Sequence, residues 1–234
     1  MLLEVIATNV EDAIFAEKGG ADRLELCSAL TEGGLTPSLG LVEAVTDAVK
    51  IPVNVMVRPH SRSFCYSDDD IKVMVKDIEY IRKTKENGIV IGPLTSTGLI
   101  DEENLKRLIH AAAGMDITFH RAFDEVSNQL DALGTLMKYR DVKRILTAGG
   151  QKPAPESASQ LKKLVNFAEA SSVKILAGYG ITKESLASFI PETGVEEIHI
   201  GSAVRFNNSF QEQLDWLKVR EIKDEMVKHS IVSN

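Results

Sequence analysis

Two residues able to exchange protons, His120 and Asp124, stand in one short segment with Arg121 between them. They follow residues 116–119, where apolar and polar side chains alternate as they do along a β-strand. In a repeating β/α protein, catalytic groups collect at the carboxyl ends of the strands. The segment therefore indicates His120 and Asp124 as candidate catalytic residues.

Eight β-rich segments alternate with amphipathic ones along the chain, at intervals typical of β/α units. We predict strands at 2–7, 21–26, 53–57, 88–92, 116–120, 142–147, 173–177 and 196–200. We predict helices at 10–18, 38–49, 68–83, 101–113, 128–139, 156–170 and 182–189. Apolar β-branched strands and the lack of a Gly-x-Gly-x-x-Gly motif after the first strand favour a TIM (β/α)8 barrel over an open doubly wound sheet.

The expected barrel is an α/β single domain over residues 1–234. Residues 210–234 are its C-terminal helical extension. An apolar stripe of Val219, Ile222 and Met226 in that extension predicts packing on the barrel, with a second subunit as the alternative.

Composition excludes several classes of protein. The chain has 234 residues, is 44% apolar and 26% charged, and carries a net charge of −7, which argues against a nucleic-acid surface. It has no long apolar run and no signal-peptide pattern, so we expect no membrane partner and a cytoplasmic location. Its two cysteines are expected to be free thiols.

The alternation of side chains places ionisable groups inside the predicted barrel, where apolar residues normally lie. These groups are Glu4, Glu25, Arg58, His120 and His199. One interpretation is a polar network that only sets the packing. The favoured one is a catalytic site with Glu25 or Glu4 as base and His120 as acid or orienting partner.

Glycines mark the loops after the seventh and eighth strands. In TIM barrels these loops often bind phosphate through backbone N–H groups. We predict an anion site at Gly178, Gly180, Gly201 and Ser202, which Arg205 would assist. Ordinary turn chemistry is the alternative.

Several blocks of sequence resemble the CutC family, and together they cover most of the chain. They are 20–27 (GADRLELC), 32–38 (EGGLTPS), 55–59 (VMVRP), 64–67 (FCYS), 98–101 (GLID), 118–122 (TFHRA), 145–147 (ILT) and 197–199 (EIH) with Ser202 and Ala203. The resemblance implies a cytoplasmic TIM barrel assigned to copper homeostasis, with Cu(I) bound by cysteine, and a homodimer.

Cys27 and Cys65 are the candidate copper ligands, and Met56 is a possible thioether ligand beside them. Cu(I) favours such soft ligands. The chain has no Cys-x-x-Cys motif, so the spacing by itself is a weak metal signal.

The chain departs from the family at two loops. His60-Ser61-Arg62-Ser63 replaces a glycine-rich stretch, and Tyr179 interrupts a run of glycines. A family ligand would therefore bind differently here.

Three functions remain open at this point: Cu(I) binding, an enzyme for a small anionic or phosphorylated substrate (a lyase, isomerase or hydrolase), and a scaffold whose polar lumen is structural. In the enzyme, Glu25 would be the base and Arg58 would bind the anion.

Overall fold

A computed structural model describes residues 1–84 and 88–230 of the chain. Eight parallel strands close into a barrel in chain order. The strands are β1 (Leu2–Ala7), β2 (Arg23–Leu26), β3 (Val53–Met56), β4 (Gly88–Ile91), β5 (Ile117–Phe119), β6 (Val142–Thr147), β7 (Lys174–Gly178) and β8 (Glu197–Ile200). The helices are α1 (Val10–Gly19), α2 (Leu39–Ala48), α3 (Asp68–Ile81), α4 (Glu102–Ala112), α5 (Gln129–Leu136), α6 (Ala158–Ala168), α7 (Lys183–Thr193) and α8 (Trp216–Ser230). The predicted TIM (β/α)8 barrel is confirmed.

Most differences from the predicted bounds lie at the ends of elements. β2 begins at Arg23 because Ala21 is still part of the turn that closes α1, where its N–H donates to the carbonyl of Ala16. β5 has only three residues, and its register with β6 shifts between Ile117 and Thr118.

Helix α7 runs beyond the predicted end at residue 189, past Pro191 to Thr193. Buried Phe189 and Ile190 anchor this last turn. The hydroxyl of Thr193 donates to the carbonyl of Phe189 within this last turn.

Alternating side chains divide the strands into an apolar outer face and a polar inner one. Leu24, Val55 and Ile198 are buried between the strands and the helices, as alternation predicts. The polar residues between them face the lumen, and the register pairs Glu4 with Arg23 on one side and with His199 on the other. Adjacent strands therefore bring opposite charges to the same height in the barrel.

Helix α8 packs against α1 and α7. Val219, Ile222 and Met226 are buried, which is the packing on the barrel that their spacing favours. A Cβ on Gly19 would lie 2.5 Å from the Cβ of Val219, so the glycine lets the two helices approach closely. Among the described helices, none combines the length and apolar character needed to cross a bilayer.

Candidate functional site

A cavity of about 660 Å³ opens at the carboxyl ends of the strands. The predicted site residues that line it are Glu25, Cys27, Arg58, His120, Asp124, Gly180, His199, Gly201 and Ser202. Three others lie outside its lining: Glu4, Gly178 and Cys65. The closed barrel gathers the carboxyl ends of its strands and the loops that follow them, and this brings most of the predicted set to one place.

Below the cavity, two carboxylates and two arginines neutralise one another. Glu4 accepts a hydrogen bond from the Nε of Arg23, and the same guanidinium donates through Nη2 to Glu197 at 2.7 Å. Arg144 lies on the other side of Glu197, with Nε 3.2 Å from the carboxylate. All four side chains are buried, so this ion-pair network is what permits charges inside the barrel.

Arg144 and Glu197 are missing from the set that the sequence predicted. The signal was present, because Glu197 precedes His199 by two residues and must share its face of β8. Arg144 has the same relation to Leu146, which lines the cavity.

Glu4 holds His199 in place. Its Oε1 lies 2.8 Å from Nδ1 of His199, and Asn54 donates to its Oε2 at 3.3 Å. Burial by itself would raise the pKa of Glu4, but Arg23 and His199 lower it to about 2. Because Glu4 is ionised, the Nδ1 of His199 carries a proton and donates a hydrogen bond to this carboxylate.

Glu25 is the incompletely satisfied carboxyl group of the lumen. It is 3% exposed, its Oε2 lies 3.8 Å from Nε2 of His199, and its Oε1 has no hydrogen-bond partner among the described residues. Burial raises the pKa of Glu25 to about 7, against the lowering effect of His199. Burial also acts to lower the pKa of His199, but Glu25 and Glu4 raise it overall. Glu25 can therefore exchange a proton near neutral pH.

His120 is a neutral hydrogen-bond donor. Its Nδ1 accepts the backbone N–H of Ala122 at 3.1 Å, which leaves the proton on Nε2. That Nε2 has no partner among the described residues, although the ring is buried and lines the cavity. Burial and the nearby charge of Arg58 lower the pKa of His120 to about 3. Residue 92 must be glycine for the imidazole to fit, because a Cβ there would lie 2.3 Å from Cε1 and Nδ1 of His120.

Asp124 lies at the rim of the cavity with its oxygens already engaged. Oδ1 accepts from the hydroxyl of Thr147, and Oδ2 accepts the N–H of Ala148 at 3.1 Å and the Nε of Arg121 at 2.9 Å. The carboxylate therefore holds the ends of β5 and β6 together and orients Arg121.

Arg58 fastens two loops to each other. Its Nη1 donates to the carbonyls of Glu32 and Gly34 at 3.0 and 3.2 Å, and its Nη2 donates to the carbonyl of Ser61 at 3.3 Å. Its guanidinium also lies 4.6 Å from the ring centre of Phe64. These bonds engage both Nη groups and fix the shape of the mouth, while the buried Nε of Arg58 has no hydrogen-bond partner among the described residues.

The glycines of the mouth differ in role. A Cβ on Gly178 would lie 2.7 Å from Leu146 and 3.1 Å from His199, so this glycine is explained by packing inside the barrel. Gly180 and Ser202 line the cavity, and no hydrogen bond within the described part of the chain uses their backbone N–H groups. These two positions keep free donors for an anion.

Arg205, which the sequence suggested as an aid to the anion site, is engaged elsewhere. It is buried and donates through Nη2 to Asp12 at 2.7 Å and to the carbonyl of Ile6 at 3.3 Å. It ties the loop after β8 to helix α1.

The cysteines lie in different surroundings. Cys27 is buried at the cavity, in an apolar cluster with Met56, and burial and Glu25 raise the pKa of its thiol well above the ordinary value. Cys65 is exposed and does not line the cavity.

One group of side chains in the described residues has the geometry to hold a metal ion. Glu4, Glu25 and His199 each offer a ligand atom within 4.8 Å of the others. Glu4 is already hydrogen-bonded to Arg23, Asn54 and His199, so a metal ion would have to displace these bonds to use all three side chains.

The fold and the site define a (β/α)8 barrel that has ionisable side chains in its lumen. The lumen opens into a cavity at the carboxyl ends of the strands. The model of the CutC family matches residues 1–204. The chain belongs to the CutC family, as the motifs predicted.

Two relatives show how far the similarity extends. The copper homeostasis protein cutC homolog of Homo sapiens is 41% identical over 214 residues, which span 89% of this chain and 78% of that protein. The family protein CutC of Pasteurella multocida is 35% identical over 98% of this chain and all of its own length.

Solved structures agree on the fold. The CutC protein of Streptococcus agalactiae superposes with a TM-score of 0.81 at 33% identity, covering 86% of this chain and 98% of that one. Phosphoribosylanthranilate isomerase of Thermotoga maritima gives a TM-score of 0.65 at 13% identity, over 97% of this chain and all of the isomerase. The second match is evidence for the barrel alone.

The raised pKa of Glu25 predicts a pH dependence of stability. Between its ordinary value of 4.5 and about 7, the carboxyl group ionises in the unfolded chain but stays protonated in the folded one. The folded state then binds more protons, so its free energy of unfolding falls as pH rises through this window, by on the order of 2–3 kcal/mol.

Urea unfolding from about pH 5 to about pH 8 measures this loss. Glu25→Gln should reduce the decline, leaving only the part due to the raised pKa of His199, whereas Glu43→Gln, at an exposed glutamate, should keep it in full. The same decline in Glu25→Gln as in the wild type would show that Glu25 does not titrate in this window.

Proposed function

We propose that the chain is an enzyme that moves a proton at a carbon next to a carbonyl group, in a small anionic substrate. The observation that carries the proposal is a pair of buried, unpartnered atoms on one cavity. Oε1 of Glu25 can accept a proton and Nε2–H of His120 can donate a hydrogen bond. This is the division of roles that removing a proton beside a carbonyl requires.

The reaction follows from the properties of the two groups. Glu25 takes the proton, and the electrons of the C–H bond move to the carbonyl oxygen. His120 donates its hydrogen bond to that oxygen. It stays neutral throughout, because its pKa is about 3. Return of the proton at a neighbouring carbon gives an isomerase, and loss of a leaving group gives a lyase.

His199 and Glu4 support the base. The hydrogen bond between Glu4 and His199 Nδ1 fixes the imidazole, and its Nε2 faces Glu25 across 3.8 Å. His199 stabilises the carboxylate of Glu25 electrostatically, and Glu25 is therefore a usable base near neutral pH although it is buried.

A purely structural role explains the network of Glu4, Arg23, Glu197 and Arg144 better than it explains Glu25 and His120. In that network each arginine lies at ion-pair distance from a carboxylate and the charges balance, although Nε of Arg144 makes no hydrogen bond among the described residues. Glu25 and His120 each keep a buried polar atom without a partner, which costs about 1–3 kcal/mol per group. Such atoms are expected where a ligand completes the hydrogen bonding.

Proton exchange tests the proposal whichever product the reaction forms. The α-hydrogen signals of small oxo acids and of sugar phosphates are followed by NMR in deuterated water. We expect the wild type to exchange at least one of them, and Glu25→Gln to slow the exchange at least about 100-fold. Glu43→Gln should leave the rate unchanged. Equal rates in wild type and Glu25→Gln, or no exchange across the panel, would contradict the assignment.

Cu(I) binding in the cytoplasm is the second candidate. The human relative carries copper homeostasis in its name, and the supporting observation here is the contact between Cys27 and Met56. A Cβ on Gly34 would lie 3.7 Å from the sulfur of Cys27 and 3.5 Å from Cε of Met56, so thiol and thioether are neighbours. Cu(I) prefers such a pair. The thiol would have to lose its proton against a raised pKa, which makes this the weaker candidate.

An anaerobic Cu(I) titration against a competing chelator tests this candidate. If copper is the ligand, binding is stoichiometric, vanishes in Cys27→Ser, weakens in Met56→Leu and survives Glu25→Gln. The variant Cys65→Ser decides whether the exposed cysteine takes part, and a mass measurement decides whether a homodimer forms with the metal. Unchanged binding in Cys27→Ser would reject the site.

A further inference from the structure

Two arginines line the cavity, and they differ in whether their Nη groups are engaged. Both Nη groups of Arg58 are bound to backbone carbonyls. Arg121 donates through Nε to Asp124 at 2.9 Å, and no hydrogen bond among the described residues uses either of its Nη groups. Its side chain is 36% exposed, so the free edge of the guanidinium is open to solutes.

Asp124 does not use up the charge of Arg121. The carboxylate also accepts from the hydroxyl of Thr147, from the N–H of Ala148 and from the amide of Gln129, at 3.3 Å for the last. The ion pair therefore orients the guanidinium, while its two outer nitrogen atoms remain available. A guanidinium held in this way matches the two oxygens of a carboxylate or a phosphate.

Tyr179 holds the guanidinium from another direction. Its ring centre lies 4.3 Å from the Cζ of Arg121, a cation–π contact. Its backbone has φ of 78°, in the left-handed region that disfavours a side chain. Tyr179 remains in that conformation with its carbonyl bound by the N–H of Ala154 at 2.9 Å and its side chain 47% exposed at the mouth.

We propose that Arg121, held by Asp124 and Tyr179, binds an oxyanion of the substrate at the mouth of the cavity. The N–H groups of Gly180 and Ser202 lie at the same mouth and add neutral donors. The oxyanion is a carboxylate or a phosphate monoester, which share this recognition chemistry.

The position of Arg121 also defines the substrate class, and this part rests on the proposed function. His120 and Glu25 take the carbonyl end. The lining of the cavity also includes apolar side chains of Ile6, Leu146 and Phe210. The substrate is therefore a small molecule with a reactive carbonyl at one end, an oxyanion at the other, and a short apolar body.

Binding of two simple anions tests the inference. Inorganic phosphate and malonate are titrated separately into the protein and followed by amide NMR and calorimetry. We expect saturable binding of at least one, with shifts at Gly180 and Ser202. Binding should weaken at least tenfold in Arg121→Gln and less in Arg121→Lys, which keeps the charge but loses the planar fork. Phosphate alone would indicate a phosphate ester, and malonate alone a carboxylate.

Two further variants keep the result interpretable. Arg62→Gln removes an exposed arginine that does not line the cavity and should bind the probes as the wild type does. Tyr179→Gly relieves the left-handed backbone, so the protein should stay folded while anion binding weakens severalfold. It replaces Arg121→Gln if that variant fails to fold.

The outcomes separate this inference from the proposed function. Glu25→Gln should retain anion binding, because the base is not part of the anion end. Wild-type protein that binds neither anion, or Arg121→Gln that binds as well as the wild type, would overturn the inference. If proton exchange persists in that case, the proposed function stands without it.

Discussion

The rest of the site depends on the interaction of Glu4 with Arg23 and His199. A carboxylate in the middle of a barrel is strongly destabilising by itself, and this one is stable because a guanidinium and an imidazole both donate to it. The parallel register supplies both partners, since Arg23 and His199 are the neighbours of Glu4 on β2 and β8. The charged lumen is thus a consequence of strand alignment.

The ionisable side chains of the lumen form two layers with different properties. The lower layer is Glu4, Arg23, Glu197 and Arg144, and the upper layer is Glu25 and His120. In the lower layer each arginine faces a carboxylate, and its charges are balanced without a ligand. In the upper layer Glu25 and His120 are equally buried but keep unpartnered atoms. Their pKa values move in opposite senses, Glu25 up and His120 down, so that each is near the state its proposed role requires.

Much of this arrangement was predictable, because alternation along a strand determines which face a side chain occupies. It placed Glu25, His120 and His199 around one lumen, and short motifs identified the family. The sequence does not show which hydrogen-bond donors are already engaged. Arg58 was predicted to bind an anion, but the loop conformations bring three backbone carbonyls to its Nη groups. Arg121 was recognised as a neighbour of the site, but its contact with Tyr179 joins residues far apart in the sequence.

The ionisation states of the two upper groups test the central claim most directly. NMR with ¹⁵N-labelled histidine and ¹³C-labelled glutamate follows the imidazole and carboxyl signals from about pH 5 to about pH 9. We expect His120 to stay neutral, with its proton on Nε2, over the whole range, while the carboxyl group of Glu25 titrates near pH 7. A His120 that titrates near its ordinary pKa of 6.5, or a Glu25 already ionised at the lowest pH, would contradict the proposed division of roles.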